Sequence, residues 1–393
     1  MARWSGFLLF FSILLILLTA IHVYLWLRLV RAPQLPPPWR GLVSAAVALA
    51  GLSIPVVLIF FRGPGSPALA RPLVWLAYIW MGTMFLLFVG VLATDVMRVG
   101  AWLSRRLTHG VPPDGERRQF LARWLAGGVA LTGGGLAAWS VRAALGPVSV
   151  RRVEVALARL KRQHDGLVIA QLTDLHIGPT IGRSQLQAIV DSTNALGADI
   201  VAITGDLVDG SVEELRDAVA PLAQLRARHG VFFVTGNHEY FSGAPQWVEE
   251  VSRLGIRVLR NERVEITHNG EILDLAGVDD ASAARFGHGH SEDLARALGD
   301  RVPGRAVVLM AHQPRTARRS AAYGVDLQLS GHTHGGQIWP FGALVALQQI
   351  FLAGLHRQGD TRVYVSRGTG YWGPPMRLGA PSEISQIVLR AAG

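Results

Sequence analysis

The chain has 393 residues, a formal net charge of +10, no cysteine and a mean hydropathy of +0.30, high for a purely soluble protein. The absence of cysteine excludes disulfides, thiolate metal sites and a cysteine nucleophile. The charge resembles that of a nucleic-acid binder until it is divided. Residues 1–150 carry 13 Arg and no Lys against Asp95, Asp114 and Glu116, whereas residues 151–393 balance 25 basic against 25 acidic residues. Phosphate contacts need a basic face on the binding domain, so nucleic acid is not expected as a partner.

Three apolar runs come first, at about 6–27, 41–61 and 72–94, each the length needed to cross a bilayer core. The stretches "PQLPPPWR" and "RGPGSP" punctuate them as loops. His22 is the one ionisable group in these runs apart from tyrosines, and it is expected near a helix end. A fourth, weaker run at 124–141 holds five glycines. It reads as a poorly hydrophobic span, but "ERRQFLARWLAGGVALTGGGLAA" also resembles a twin-arginine export signal, with Arg117–Arg118 ahead of a mildly apolar Gly/Ala stretch. Arg28, Arg31 and Arg40, then Arg98, Arg105, Arg106, Arg117, Arg118 and Arg123, outnumber Arg3, Arg62, Arg71 and Arg142 on the other side. Positive charge marks the cytoplasmic loops. The expected topology is therefore a multi-pass section, 1–146, in the cell (inner or plasma) membrane, with residues 147–393 outside the cytoplasm.

From Arg151 onward, β-rich runs alternate with amphipathic stretches. "LVIAQLTD", "DIVAITGD", "VFFVTGN", "ILDLAGVDD", "AVVLMAH", "VDLQLSGH", "RVYVSRG" and "ISQIVLR" read as strands, most of them apolar enough to be buried on both faces. "SQLQAIVDSTNAL", "VEELRDAVAPLAQLRARH" and "APQWVEEVSRL" read as helices. This is an α/β domain. Five of the strands stop at Asp, Asn or His: Asp174 and His176, Asp206, Asn237 and His238, His312, and His332 and His334. Singly, Gly-Asp and Gly-Asn are turns, and a strand-end His is a hydrogen-bonded structural residue. Together, at the carboxyl ends of strands where α/β sheets bind ligands, they predict one site.

Imidazole, carboxylate and amide donors without sulfur suit Mn, Zn, Fe, Ni or Co. They are too many for one ion, and a carboxylate such as Asp206 can bridge two. In "GHTHGG" a turn of the chain would let His332 and His334 serve different ions, with Gly335 and Gly336 bending the backbone and clearing room for substrate.

The ordered series D-x-H, G-D, G-N-H-[DE], a lone His and G-H-x-H resembles that of the calcineurin-like metallophosphoesterases over about residues 165–390. "GHTHGGQIWPFG" and the closing "SRGTG…PPMRLGAPSEI" look like the membrane-associated branch with bacterial twin-arginine-exported phosphodiesterases. The resemblance implies a four-layer α/β/β/α sandwich behind an α-helical transmembrane section, and a phosphodiesterase or phosphatase using two divalent metal ions. It implies that Asp174, His176 and His334 hold one ion, that Asn237, His312 and His332 hold the other, and that Asp206 bridges them. Attack on phosphorus by a metal-bridging hydroxide, with His238 beside the leaving-group oxygen, follows from the same resemblance. Glu239 is expected to support His238, and Asp209 to hydrogen-bond nearby. "GHGH" at 287–290 reads as a solvated loop, and Arg367 and Arg377 as surface pairs or phosphate contacts. The expected substrate is a phosphodiester or phosphomonoester, with lipid-linked phosphates among the candidates. The alternative is a non-catalytic metal-binding membrane sensor or scaffold of the same fold.

Overall fold

The structure is a computed structural model that describes residues 2–60, 70–109, 111 and 113–392. It divides into two compact units, one made by the N-terminal helices and the other beginning at Ala143.

Helices α1 (Ala2–Trp26), α2 (Trp39–Phe60), α3 (Arg71–Leu107) and α4 (Gly115–Leu145) are each long and apolar enough to cross a membrane. Over their described residues the expected apolar runs are helical, but the helices outrun the hydropathy. α3 continues past residue 94 and carries Asp95 with it. The carboxylate accepts a 2.7 Å hydrogen bond from Tyr24 Oη and pairs with Arg28 at 2.8 Å and Arg98 at 3.1 Å. A charge persists on such a helix because it is paired. His22 is not near a helix end, because helical backbone runs on through Arg31. Its Nε2 accepts a 3.0 Å hydrogen bond from Trp80 Nε1 of α3, and its Nδ1 lies 2.7 Å from Leu18 O. It is a satisfied contact between helices. The "RGPGSP" loop lies outside the described residues.

The second unit holds twelve strands in two six-stranded sheets. They are β1 (Ser149–Leu157), β2 (Val168–Leu172), β3 (Ile200–Ile203), β4 (Val231–Phe233), β5 (Arg257–Val258), β6 (Glu262–His268), β7 (Glu271–Gly277), β8 (Val307–Met310), β9 (Leu327–Ser330), β10 (Gly354–Gln358), β11 (Thr361–Val365) and β12 (Glu383–Ala391). The first sheet runs β1-β12-β2-β3-β4-β5 and the second β10-β11-β9-β8-β7-β6. β2 to β5 are parallel to one another, as are β7, β8, β9 and β11. All eight expected strands are present. β1, β5, β6 and β10 were not expected.

Alternate residues of the strands feed different layers. Ile200 and Ala202 of β3 face Leu275, Val308, Met310, Leu327 and Leu329 in a core between the sheets. Val201 and Ile203 instead pack with Leu186, Val190, Trp247 and Val251 from α5 (Arg183–Asn194) and α8 (Ala244–Arg253). On the far face of the second sheet, Ala276, Val307 and Leu309 pack with Leu294, Ala297 and Leu298 of α9 (Leu294–Leu298). The result is the four-layer α/β/β/α sandwich that the motif series implied. α6 (Val212–Val219) is shorter than its apolar pattern, because Pro221 follows and a 3-10 turn over Ala220–Gln224 takes its place.

Trp247 is fully buried, and its Nε1 donates to Gly210 O at 2.9 Å. Trp247→Ala is expected to cost about 3–5 kcal/mol, read by denaturant unfolding of the full chain in detergent. A cost below about 1 kcal/mol would show that this helical layer is not anchored there.

Candidate metal centre

The strands bring all eight candidate residues to one edge of the sandwich. Asp174 and His176 follow β2, and Asp206 follows β3. Asn237 and His238 open α7 (Asn237–Ser242) just after β4, His312 follows β8, and His332 and His334 follow β9. Sharp turns aim them. Asp174, His176, Asp206, His332 and His334 all have left-handed backbone, with φ of 53°, 46°, 52°, 70° and 51°. Asp and His tolerate this region better than most residues. Two preceding glycines are needed for close approach. A Cβ on Gly236 would lie 2.2 Å from Asp206 Oδ1, and one on Gly331 would lie 2.1 Å from Thr173 Oγ1. Gly335 and Gly336 do bend the chain, but they do not clear room for substrate. Their absent side chains make space for Arg367 and for the backbone of Gly342.

Three overlapping groups of donors meet here. Asp174, His176 and His334 make one, Asp206, His312 and His332 another, and His176, Asp206 and His238 a third that spans the first two. His176 Nε2 lies 3.1 Å from His334 Nε2, which is 3.5 Å from Asp174 Oδ1. His312 Nε2 lies 3.2 Å from His332 Nδ1. Asp206 Oδ2 is 3.1 Å from His312 Nε2 and 3.8 Å from His176 Nε2, so it touches both of the first two groups. Asn237 Oδ1 is buried and has no hydrogen-bond partner among the described residues. A buried amide oxygen without a donor is costly, and a cation would satisfy it. The chemistry of the set therefore fits divalent ions.

Burial pushes the Asp206 carboxyl up, but the His312, His238 and His176 imidazoles together outweigh it and hold Asp206 well below the usual carboxylate range. Burial lowers His312, yet Asp206 and Asp174 carry it well above the ordinary imidazole value. Burial, with His312 next to it, brings His332 down to about 3. Burial, with His176 and Arg377 nearby, brings His334 well down too. Ionised Asp206 and neutral His332 and His334 are forms that bind metal, whereas His312, held protonated, and Asp174, whose carboxyl burial raises, would have to release protons to an incoming ion.

Around the donors stand residues whose roles differ from expectation. Glu239 does not touch His238. Its fully buried carboxylate accepts the backbone N–H groups of Asp206 at 3.0 Å, Leu207 at 2.8 Å and Gly236 at 2.6 Å. It ties the loop after β3 to the loop after β4. Asp209 is the residue that supports His238. One oxygen, Oδ1, lies 2.5 Å from His238 Nδ1 and 3.1 Å from His176 Nδ1. Burial lowers His238, but Asp206 and Asp209 overcome that and hold it at about 9. Arg377 is neither at the surface nor aimed at a substrate. It is buried, and its guanidinium donates to the carbonyls of His334 at 2.9 Å and Arg367 at 2.7 Å, and to those of Ala380 and Gly370. Arg367 pairs with Glu383 at 3.0 Å. "GHGH" at 287–290 joins no group of metal donors among the described residues, and His290 instead lies beside Arg260 and Tyr240.

Two aromatic rings went unnoticed in the sequence. Phe241 and Trp372 both meet the His238 ring edge-on, with centroids 5.7 Å away. Phe241 stands three residues from His238 on one helix and was open to discovery by that spacing. Nothing local marks Trp372.

Asp209→Asn removes the charge that orients two imidazoles. We expect a 10–100-fold loss in metal affinity or turnover, with the fold retained by circular dichroism. Unchanged titration and rate constants would show that other contacts orient these rings.

The family model for calcineurin-like phosphoesterases matches residues 167–336. A zebrafish (Danio rerio) "transmembrane protein with metallophosphoesterase domain" is 36% identical over 404 residues, which cover 98% of this chain and 89% of that protein. The cattle (Bos taurus) protein of the same name is 44% identical over 257 residues, 63% of this chain and 58% of its own. A Bacillus subtilis metallophosphoesterase is 30% identical over 289 residues, 70% of this chain and 98% of its own length. The first of these alignments takes in the N-terminal helices along with the motif series. With the motifs, the two-sheet sandwich and these relatives in agreement, the chain belongs to the calcineurin-like metallophosphoesterase family.

Proposed function

We propose that this protein is a membrane-anchored phosphoesterase with a dinuclear metal centre. Residues 1–146 form its membrane section and 147–393 its catalytic domain. One observation carries the reading: Asp206 stands in contact with both groups of donors, and His238 lies beside them. Asp174, His176 and His334 would hold one divalent ion, Asn237, His312 and His332 the other, and Asp206 would serve both. Bound ions of this kind supply Lewis acidity, which activates water near neutral pH and neutralises charge on a phosphoryl group.

The chain's own residues do the rest. With Asp209 on Nδ1, His238 keeps Nε2 for the substrate. Held protonated by its carboxylate neighbours, it donates that proton to the departing oxygen. Asp206 also accepts the His238 backbone N–H at 2.9 Å, which fixes this acid relative to the donor that serves both ions. Phe241 and Trp372 offer exposed apolar surface next to His238, suited to the organic part of an ester, lipid-linked phosphates included. A non-catalytic sensor would need none of the His238 arrangement.

The balance of arginines supports placing the catalytic domain outside the cytoplasm. Arg117–Arg118 then lie on the cytoplasmic side, as a twin-arginine leader requires. A Cβ on Gly133 of α4 would lie 2.7 Å from Leu87 of α3, so this one glycine of the run suits close helix packing and favours a retained fourth span.

In detergent, the full chain should hydrolyse aryl phosphodiesters or monoesters with added Mn or Zn, and a chelator should abolish turnover. Asp206→Asn should lose metal and activity together. His238→Ala should keep its metal and lose about 10²–10⁴-fold in kcat. A His238→Ala protein with full turnover would remove the assigned acid. A metal-loaded protein inert on diesters, monoesters and lipid phosphates would favour the sensor.

Because the chain has no cysteine, single introduced thiols report topology cleanly. Val302→Cys in the catalytic domain should react with an impermeant maleimide on intact cells, and Leu107→Cys at the end of α3 should not. The reverse pattern would put the catalytic domain in the cytoplasm.

A further inference from the structure

A second set of metal donors lies at the opposite end of the strands. Asp199, His229 and His268 bring one donor atom each to within 4.8 Å of one another. Asp199 precedes β3, His229 lies two residues before β4, and His268 ends β6. Asp206 follows β3 at its other end. The four-residue strand alone rises ~13 Å, so these donors cannot share an ion with the centre described above.

We propose that Asp199, His229 and His268 form a third metal site, a zinc-class structural clip joining the two sheets at the edge away from catalysis. His229 Nε2 lies 2.9 Å from His268 Nδ1. A tetrahedral ion with bonds of about 2.0–2.1 Å sets its donors roughly 3.3 Å apart, between that spacing and the 4.8 Å limit of the group. The rings meet at 70° with centroids 5.1 Å apart, so they are not stacked. Burial holds His229 below the ordinary imidazole value, which keeps the neutral, metal-binding form. One Asp199 oxygen, Oδ2, accepts the Val168 N–H at 2.9 Å and so orients the carboxylate.

A fourth imidazole stands behind these three. The His164 ring is buried, with its centroid 6.1 Å from that of His268. Its Nε2 is 3.3 Å from Glu271 O, and its buried Nδ1 has no hydrogen-bond partner among the described residues. Two imidazoles and a carboxylate leave one tetrahedral position, which water would fill. Asp199 and His229 lie just ahead of strands of the first sheet, and His268 ends the edge strand of the second. An ion held by all three stabilises the native arrangement, because the unfolded chain does not assemble the donors.

The test is a zinc count per chain on the full protein in detergent, loaded with zinc and desalted. His268→Asn and His229→Gln should each bind one zinc fewer than the parent. That difference does not depend on the dinuclear centre, so it distinguishes failure of the clip from failure of the proposed function. In the Asp206→Asn background, one zinc should remain and vanish on adding His268→Asn. X-ray absorption of that single zinc should give nitrogen and oxygen neighbours at about 2.0–2.1 Å with imidazole scattering. Unchanged counts in both histidine variants would mean a histidine–histidine hydrogen bond only, and would overturn the proposal. Should either variant fail to fold, the spectrum decides: an imidazole-containing shell supports the clip, and an oxygen-only shell overturns it.

Discussion

Everything at the candidate metal centre depends on backbone that L-residues avoid. Asp174, His176, Asp206, His332 and His334 all sit at φ between 46° and 70°. Each left-handed residue costs on the order of 1 kcal/mol, and it persists only where the surroundings over-determine it. Here they do. Asp174 N donates to Gly205 O at 3.0 Å and His176 N to Asp206 O at 3.1 Å, which laces the loops after β2 and β3 together. Glu239 closes the loop after β3 onto the loop after β4. Arg377 gathers the carbonyls around His334. The buried charges Glu239 and Arg377 act on the backbone, and the backbone aims the donors.

That arrangement explains which parts of the centre were legible in the sequence. The donors were visible because each is a polar residue stopping an apolar strand, and the glycines beside them reported close packing. Asp209 was placed nearby, but its hold on two imidazoles was not visible. Glu239 was assigned to the wrong neighbour, and Arg377 was read as a surface or substrate residue. Asp209 and Arg377 act through hydrogen bonds across the fold that no local spacing encodes, and Glu239 adds such bonds to a capping bond with Gly236 N, three residues back. Three of the four unexpected strands were missed for a related reason, whereas β6 does alternate buried and exposed residues. β1 has five consecutive residues, Ser149 to Val153, that are exposed or half-buried, and β10 alternates exposed and half-buried residues. Neither shows the buried pattern that identified the inner strands. β5 has two residues, too few for any period.

Hydropathy located the helices of the first unit but not their limits. α3 keeps its hydrogen-bonded backbone well beyond its apolar run because propagation of a helix needs no hydrophobic side chains. Asp95 then becomes a polar anchor, shared by Tyr24, Arg28 and Arg98, which joins the Trp80–His22 and Trp26–Ser44 hydrogen bonds in a unit with an apolar core.

The placement of β12 bears on how the chain is made. It lies between β1 and β2, parallel to the first over nine paired residues and antiparallel to the second. Ribosomes deliver β2 and its neighbours long before Glu383–Ala391, so the nascent first sheet carries a gap at its interior and two bare strand edges until β12 emerges. Exposed edges of this kind are where misassembly begins. The first sheet therefore closes only when its last strand arrives, and the order of synthesis is not the order of the sheet.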